Sequence, residues 1–310
     1  MTSAILRRVP QALCVVWLAA TLAFAAMKLT PGDPAQALLA ASGATPSEIA
    51  AERARLGLDD PVLVQYVRYL GELLRGNLGS SWLHGRPVSQ MITERAGPTV
   101  ALAVAALTVG TALGVALGLV AAARQGTWLD TLVTGLAVTS LSIPVYWSGL
   151  LAILLFSLGL GWLPSSGEGD LRHLILPATV LGVASSGSIA RLVRARMIEV
   201  LQAPYVTAAR GRGLSGWHVL TAHVLRAALP STVTVIALQL GFLLGGAVVT
   251  EAVFARRGLG QLALESIQWR DLPVVRGIIV FAAVAYMLTS LAADLVHAWL
   301  DPRLREDGLA

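Results

Sequence analysis

Charge, lysine and cysteine are all scarce in this sequence, and each shortage excludes a class of protein. Charged residues make up 13% of the 310 residues, against about 25% in an ordinary soluble domain. With 55% hydrophobic residues and a mean hydropathy of +0.70, a soluble fold is excluded. The one cysteine, Cys14, allows neither an internal disulfide nor a cysteine-based metal site. Lys28 is the only lysine, and no glycine-rich loop precedes it, so the chain lacks the G-x-x-x-x-G-K-[ST] loop that cradles nucleotide phosphates. No H-E-x-x-H occurs. His84, His173, His218, His223 and His297 are scattered, and the five-residue spacing of His218 and His223 puts them on different faces of an α-helix. Ten-residue segments of alternating polarity, which would mark a membrane barrel, are missing too.

What is present is a series of long apolar runs. Residues 9–29, 98–122, 131–159, 174–190, 231–250 and 277–300 each approach the roughly 17–25 residues that cross a bilayer as a helix. The fourth run is short and carries Ser185, Ser186 and Ser188, whose hydroxyls can bond back to their own helix or to a neighbour. Residues 131–167 carry no charge but are too few for two crossings and a turn, so the sequence predicts one helix kinked at Pro144 with an interfacial tail at Trp162.

Six spans place Arg7, Arg8, Arg124, Arg191, Arg194, Arg196, Arg210, Arg212, Arg226, Arg303 and Arg305 on one side, which the positive-inside rule makes cytoplasmic together with both termini. The opposite loops offset Arg172, Arg256, Arg257, Arg270 and Arg276 with Glu168, Asp170, Glu251, Glu265 and Asp271. A cleaved signal peptide ending near Ala23-Phe24-Ala25 is the competing reading of the start. The run from 9 to 29 exceeds the usual 7–15 apolar residues of such a peptide, and cleavage would reverse the arginine distribution.

Between the first two spans, residues 30–97 form an outer segment with short amphipathic helices. Thr45-Pro46-Ser47-Glu48 reads as a capping box and Gly57 ends that helix. Asp60-Pro61 opens another, whose apolar face is Leu63, Tyr66, Val67, Leu70, Leu73 and Leu74. That face needs an apolar cover: membrane surface, the chain's own loops or a partner subunit.

Inside the spans, Gly110, Gly114 and Gly118 repeat every four residues, as do Gly241 and Gly245, a spacing that lets helix backbones approach closely. Asp294 is the single acid within a span, near its cytoplasmic end, where an ion pair with a cation such as Arg303 is the structural reading and a proton or substrate site the functional one. The segment 191–229 holds six arginines and one glutamate, and so carries the whole formal net charge of +5. In a soluble chain that charge would suggest nucleic acid; here it serves topology, anionic lipid or docking. Tyr205–Arg212 reads as a short helix with small residues Ala208 and Ala209, Gly213 as a turn, and a second helix begins near Ser215 with Trp217, Leu220 and Val224 on one face. Gly213-Leu214-Ser215-Gly216 also matches the G-x-S-G of intramembrane serine proteases, but it lies outside any span.

The run Tyr205-Val206-Thr207-Ala208-Ala209-Arg210-Gly211-Arg212-Gly213-Leu214-Ser215, continuing to Ala227-Ala228-Leu229-Pro230, resembles the EAA loop of bacterial ABC-importer permease subunits. Leu29-Thr30-Pro31-Gly32-Asp33-Pro34, Leu56-Gly57-Leu58-Asp59-Asp60-Pro61 with Gln65-Tyr66, Gly76-Asn77-Leu78-Gly79, Ser142-Ile143-Pro144, Gly161-Trp162-Leu163-Pro164, Gly258-Leu259-Gly260 and Leu300-Asp301-Pro302-Arg303 resemble the dipeptide, oligopeptide and nickel branch, specifically its first permease subunit.

The resemblance implies an all-α polytopic protein of the bacterial inner membrane with the type I importer permease fold. Its parts would be residues 1–29 with the first span, the outer segment 30–97, a core permease domain over 98–300 with five spans and the coupling loop 191–229, and a cytoplasmic tail over 301–310. It further implies a second homologous permease, two cytoplasmic ATPase subunits and an outer solute-binding protein as partners, with membrane lipid around them and no nucleic acid. Tyr205, Thr207, Ala208, Ala209, Arg210, Gly213, Leu214 and Ser215 would carry the contact with an ATPase subunit. The chain itself would be non-catalytic, without cofactor or metal. Thr207 departs from the general motif's glutamate, the stretch from Gly213 to Leu229-Pro230 is longer than the consensus, and Arg257 stands where many relatives have proline. Expected cargo is a di- or oligopeptide, with nickel chelates or other small amide solutes as the alternative. A self-sufficient secondary transporter or channel is the rival class; it needs charged or broken helices at mid-membrane, and Pro144 and Ser185–Ser188 are the only hints of one, while a structural membrane scaffold, which predicts no transport phenotype on deletion, is the third.

Overall fold

The structure, a computed structural model, describes residues 2–29, 32–39 and 43–300, without the side chains at 2–9, 37, 231, 234, 242, 246 and 293–300. Thr30-Pro31, the side chains of Arg7, Arg8 and Asp294, and Asp301–Arg305 therefore lie outside the described residues. In chain order the helices are α1 (Thr2–Leu29), α2 (Pro34–Leu39), α3 (Pro46–Arg55), α4 (Val62–Leu74), α5 (Val88–Ala123), α6 (Trp128–Ser142), α7 (Val145–Ala152), α8 (Arg172–Leu201), α9 (Pro204–Gly211), α10 (Gly216–His218), α11 (Arg226–Val253), α12 (Leu259–Gln268) and α13 (Leu272–Leu300). Two π-helical segments, Ile153–Gly159 and Val219–Leu225, follow α7 and α10 without a break. Among the described residues four helices are long and apolar enough to cross a membrane, and up to six if each of two bent pairs counts as one span.

Helices α6 and α7 meet at 102°, much sharper than the kink the sequence predicts. Ile143, preceding proline, is pushed out of the helical region to φ −79°, ψ 124°, and Pro144 follows in extended conformation, so the ladder stops instead of bending. The fourth span is also longer than expected: α8 runs through Arg191, Arg194 and Arg196 to Leu201, so the first part of segment 191–229 is helix rather than loop. Its serines are accommodated as expected, Ser185 Oγ donating to Gly182 O at 2.9 Å and Ser186 Oγ to Val183 O at 2.8 Å.

The helices form two compact units. One comprises residues 99–256 and 286 onward. Here α5 packs backbone to backbone against α8: a Cβ on Gly110 would lie 2.9 Å from Gly182 O, one on Gly114 2.7 Å from Ile189 Cβ, and one on Gly118 2.7 Å from Ala190 O. Gly182 reciprocates against Ala106 O at 2.9 Å. Gly241 similarly faces the Tyr286 ring, whereas Gly245 faces open space. Leu102, Ala103 and Ala106 of α5, Ala178 and Leu181 of α8, and Leu243 and Ala247 of α11 close one apolar core in this unit.

The other unit comprises residues 2–98 and 257–285. Residues 257–285 join it because Leu259, Leu262, Val274 and Ile278 pack on Val88, Met91 and Ile92, and because Asp271 bonds to the turn after α4. The capping box of α3 is formed, Glu48 N donating to Thr45 Oγ1 at 3.4 Å and Thr45 N to Glu48 Oε2 at 2.7 Å. Along α4, Tyr66 packs on Phe24 of α1 with ring centroids 5.3 Å apart, and Tyr69 stacks on the same ring at 5.9 Å. Leu63, Val67 and Leu74 stay exposed, so only part of the apolar face is covered within this chain.

Candidate functional site

The arginine-rich segment owes its geometry to an apolar anchor. Pro204 at the first helical position opens α9 with a preset φ, and Ala203 before it is extended. Val206 and Ala209, three residues apart on one face, are buried against Ile189, Val193 and Met197 of α8 and against Val219, Leu220 and Val224. Arg212 ends the helix and Gly213 follows at φ +81°, a conformation costly for any residue with a Cβ. Ser215 then caps the next helix, its side chain accepting from His218 N at 3.3 Å.

Of the residues that sequence assigns to the coupling contact, Tyr205, Thr207, Ala208, Arg210, Gly213, Leu214 and Ser215 are exposed and follow one another along one surface. Ala209 is not among them. It is 2% exposed and serves as an anchor, and Val206, which sequence reasoning passed over, is its partner. Trp217 also differs from expectation. It points outward, while Val219, Leu220 and Val224 turn in. The cause is the π-helical segment: its i→i+5 bonding makes positions five apart share a face, a period that an α-helical reading of Trp217, Leu220 and Val224 misses. The same period corrects the histidines. His218 and His223 lie with ring centroids 5.9 Å apart, edge to face at 78°, instead of on diverging faces.

Charge is distributed unevenly around this surface. Arg194 forms a two-point ion pair with the buried Asp130, Nε to Oδ1 at 2.6 Å and Nη2 to Oδ2 at 2.8 Å, while Gly126 N donates to Asp130 Oδ2 at 3.1 Å. The pair ties α8 to α6 and to the turn before it. Arg196 pairs with Glu199 at 2.9 Å. Arg191, Arg210, Arg212 and Arg226, four of the six arginines, are exposed and have no ion pair among the described residues. Exposed aromatic and leucine side chains (Tyr205, Leu214, Trp217) set among free arginines make a surface suited to another protein, since Tyr, Trp and Arg dominate binding energetics. Among the described residues no three His, Cys, Asp or Glu side chains converge on a metal-sized site.

Residues 114–306 match the family described as binding-protein-dependent transport system inner membrane component, and residues 1–103 match the N-terminal family of the same system. A candidate peptide transport system permease protein of Brucella abortus (strain 2308) is 42% identical over 315 residues, covering 99% of this chain and all of the relative. The glutathione transport system permease protein GsiC of Salmonella paratyphi A is 38% identical over 305 residues, covering 98% of this chain and 99% of the relative. Among solved structures, the MetNI methionine ABC transporter in inward-facing conformations aligns with a TM-score of 0.59 at 21% identity, covering 68% of this chain and 97% of that one. An amino acid ABC transporter aligns at 0.51 and 16% identity, covering 69% and 94%; both likenesses concern the fold.

Proposed function

The chain belongs to the family of binding-protein-dependent transport system inner membrane components, a multi-pass inner-membrane protein, and on that premise we propose that it is one half of the translocation pathway of an ATP-driven importer of di- and oligopeptides. A second homologous permease completes the pathway, two cytoplasmic ATPase subunits drive it, and an outer solute-binding protein delivers cargo. The observation that carries this reading is α9: a short helix fixed from beneath by Val206 and Ala209, presenting Thr207, Ala208 and Arg210 and ending at the Gly213 turn. A rigid, exposed helix of small residues suits a cleft in a partner, and a push on it is transmitted through the apolar cluster directly to α8. This chain has no nucleotide-binding loop, so the energy enters through that contact.

Peptide cargo is supported by the names of the two relatives, one a candidate peptide permease and the other a permease for glutathione, itself a tripeptide. In the reconstituted complex, the loaded binding protein should stimulate ATP hydrolysis and peptide uptake together. The purified chain alone should hydrolyse no ATP. Tight binding of a nickel chelate by the binding protein, with no measurable peptide binding, would overturn the cargo assignment and leave the permease assignment standing.

The arginine distribution supports a cytoplasmic 191–229 and an outward 30–97. After Cys14, which is exposed, is replaced by serine, an impermeant thiol reagent added to intact cells should label Ser80→Cys and spare Ser215→Cys. The reverse pattern would sink this topology.

A further inference from the structure

A cavity of about 810 Å³ opens in the unit formed by 2–98 and 257–285, walled by the end of α1, the outer helices and the start of α13. Six cationic side chains line it against two carboxylates. Half of those cations are neutralised locally: Arg53 by Asp33 at 2.6 Å and Asp59 at 3.0 Å, Arg55 by Glu52 at 2.5 Å, and Arg68 by Asp60 at 2.5 Å. Lys28, Arg270 and Arg276 have no carboxylate within ion-pair distance among the described residues, and the remaining lining acid is Glu72. Nor does the sequence supply a charge in the gaps at 30–31 and 40–42.

Other features bear on what these three cations face. Asp271, the acid adjacent to Arg270, is turned away and fully used, accepting from Ser81 Oγ at 2.5 Å and Trp82 N at 3.0 Å. Arg270 adopts φ +55°, a conformation that glycine would take without strain, and its guanidinium lies against Gly32, where any Cβ would collide with it. The Arg276 guanidinium lies 5.0 Å from the Tyr69 ring centroid. Tyr69 Oη is buried with no hydrogen-bond partner. Burial raises the Tyr69 phenol above its ordinary pKa, so it remains a proton donor at neutral pH. Lys28 Nζ spends one donor on Gln65 Oε1 at 2.5 Å and keeps two.

Position narrows the choice of anion. Lys28 is in the last turn of the candidate span Pro10–Leu29, and Arg276 is near the start of the candidate span Leu272–Ala292, with Arg270 just before it. Lys28 and Arg276 lie at the ends of candidate spans and Arg270 just outside one, and Phe24 and Met27 of the first span add an apolar part to the cavity wall. We propose that this cavity binds the phosphate of an acidic phospholipid headgroup, with Lys28, Arg270, Arg276 and the Tyr69 hydroxyl as its donors. Guanidinium forks match phosphate oxygens in two-point contacts, and basic pockets at helix ends are suited to acidic headgroups. The proposal rests on α1 and α13 being membrane spans and is independent of the importer's cargo.

Thermal unfolding of the full chain in uncharged detergent tests it, with short-chain phosphatidylglycerol, phosphatidylcholine of the same chain length, inorganic phosphate or dialanine added. Phosphatidylglycerol should raise Tm saturably and phosphatidylcholine should not. Arg270→Asn, which keeps the left-handed backbone accessible, should raise the apparent Kd for phosphatidylglycerol about fivefold. Glu72→Gln should lower it, a sign that a merely structural role does not give. Equal stabilisation by phosphatidylcholine would overturn the proposal, as would unchanged affinity in both variants. Phosphate binding as tightly as phosphatidylglycerol would make this a free-anion site, and displacement of the lipid by dialanine would make it a carboxylate site; either result overturns the lipid assignment.

Discussion

The segment around α9 and the segment containing α3 and α4 are both pieces of short helices between candidate membrane spans, yet they are held by opposite means. Beneath α9 lies an apolar cluster in which Val206, Val193, Met197 and Val224 are fully buried, and its arginines face outward. Helices α3 and α4 contain no buried residue. They are fixed by the Thr45–Glu48 capping box, by Arg53 bridging Asp33 and Asp59, by Arg68 with Asp60, and by Tyr66 bonded to Thr21 Oγ1 at 2.7 Å. Apolar burial is indifferent to pH and to moderate salt, whereas exposed ion pairs each contribute about 0–1 kcal/mol and are screened. On the proposed function, the part that would transmit a push is the one anchored by the more rigid means.

The difference is broken most severely at Val206. Val206→Asp places an unpaired charge in the cluster and should cost at least about 3 kcal/mol locally, releasing α9 from α8. Hydrogen exchange over 204–211 should rise sharply and cargo-stimulated ATPase activity should collapse, with Val206→Ala intermediate at about 2 kcal/mol. Retained coupling with an unprotected α9 would show that the anchor is dispensable.

A smaller effect is expected at Gly213. A valine there is forced to φ +81°, costing about 1–2 kcal/mol or more. Transport and stimulated ATPase should both fall while the protein stays in the membrane, and Gly213→Asn should keep most activity because asparagine tolerates that region. A valine variant equal to the parent would remove the turn from the mechanism.

The mildest test sharpens the contrast through pH. Burial disfavours ionised Asp33, but the hydrogen bonds from Arg53 and Ala35 outweigh it and hold the carboxyl below its ordinary 3.8. The Thr45 backbone and side-chain hydrogen bonds hold Glu48 below its ordinary 4.5. Carboxyls lowered on folding stabilise the fold fully above their ordinary pKa, and that contribution fades as pH drops through the lowered values. Acidification from pH 7 through 4 and below should therefore loosen residues 43–60 in exchange or limited proteolysis while leaving 204–211 protected. Equal loosening of both segments would erase the distinction.

Much of this was written locally. The capping box, the helix over Pro204–Gly211, the turn at Gly213 and the cap at Ser215 each depend on a few neighbouring residues, and sequence reasoning reaches them. The glycine repeat of α5 announced a close backbone contact but not that α8 receives it. Trp217 was placed on the wrong face because a π-helical segment follows it, and no residue pattern in Val219–Leu225 signals the change; Ala209 is buried with Val206 on the inner face of an ordinary α-helix, a burial that depends on what α8 places beneath it. The cation-lined cavity was illegible for another reason: Lys28 meets Gln65, and Arg276 meets Tyr69, only once the chain has folded across long separations.

The π-helical segment Val219–Leu225 bears on how the length of this chain can vary. Each residue of an α-helix turns the chain by about 100°, so removing one from the middle of α8 would swing every later side chain by that angle. Val219–Leu225 runs without a break from α10 into α11 and already holds a surplus residue within that continuous helix. A single-residue deletion there returns the ladder to ordinary α-helix and leaves the side chains before and after it facing as they did. It acts as a pleat in the cloth, where one stitch can be taken up without recutting the garment.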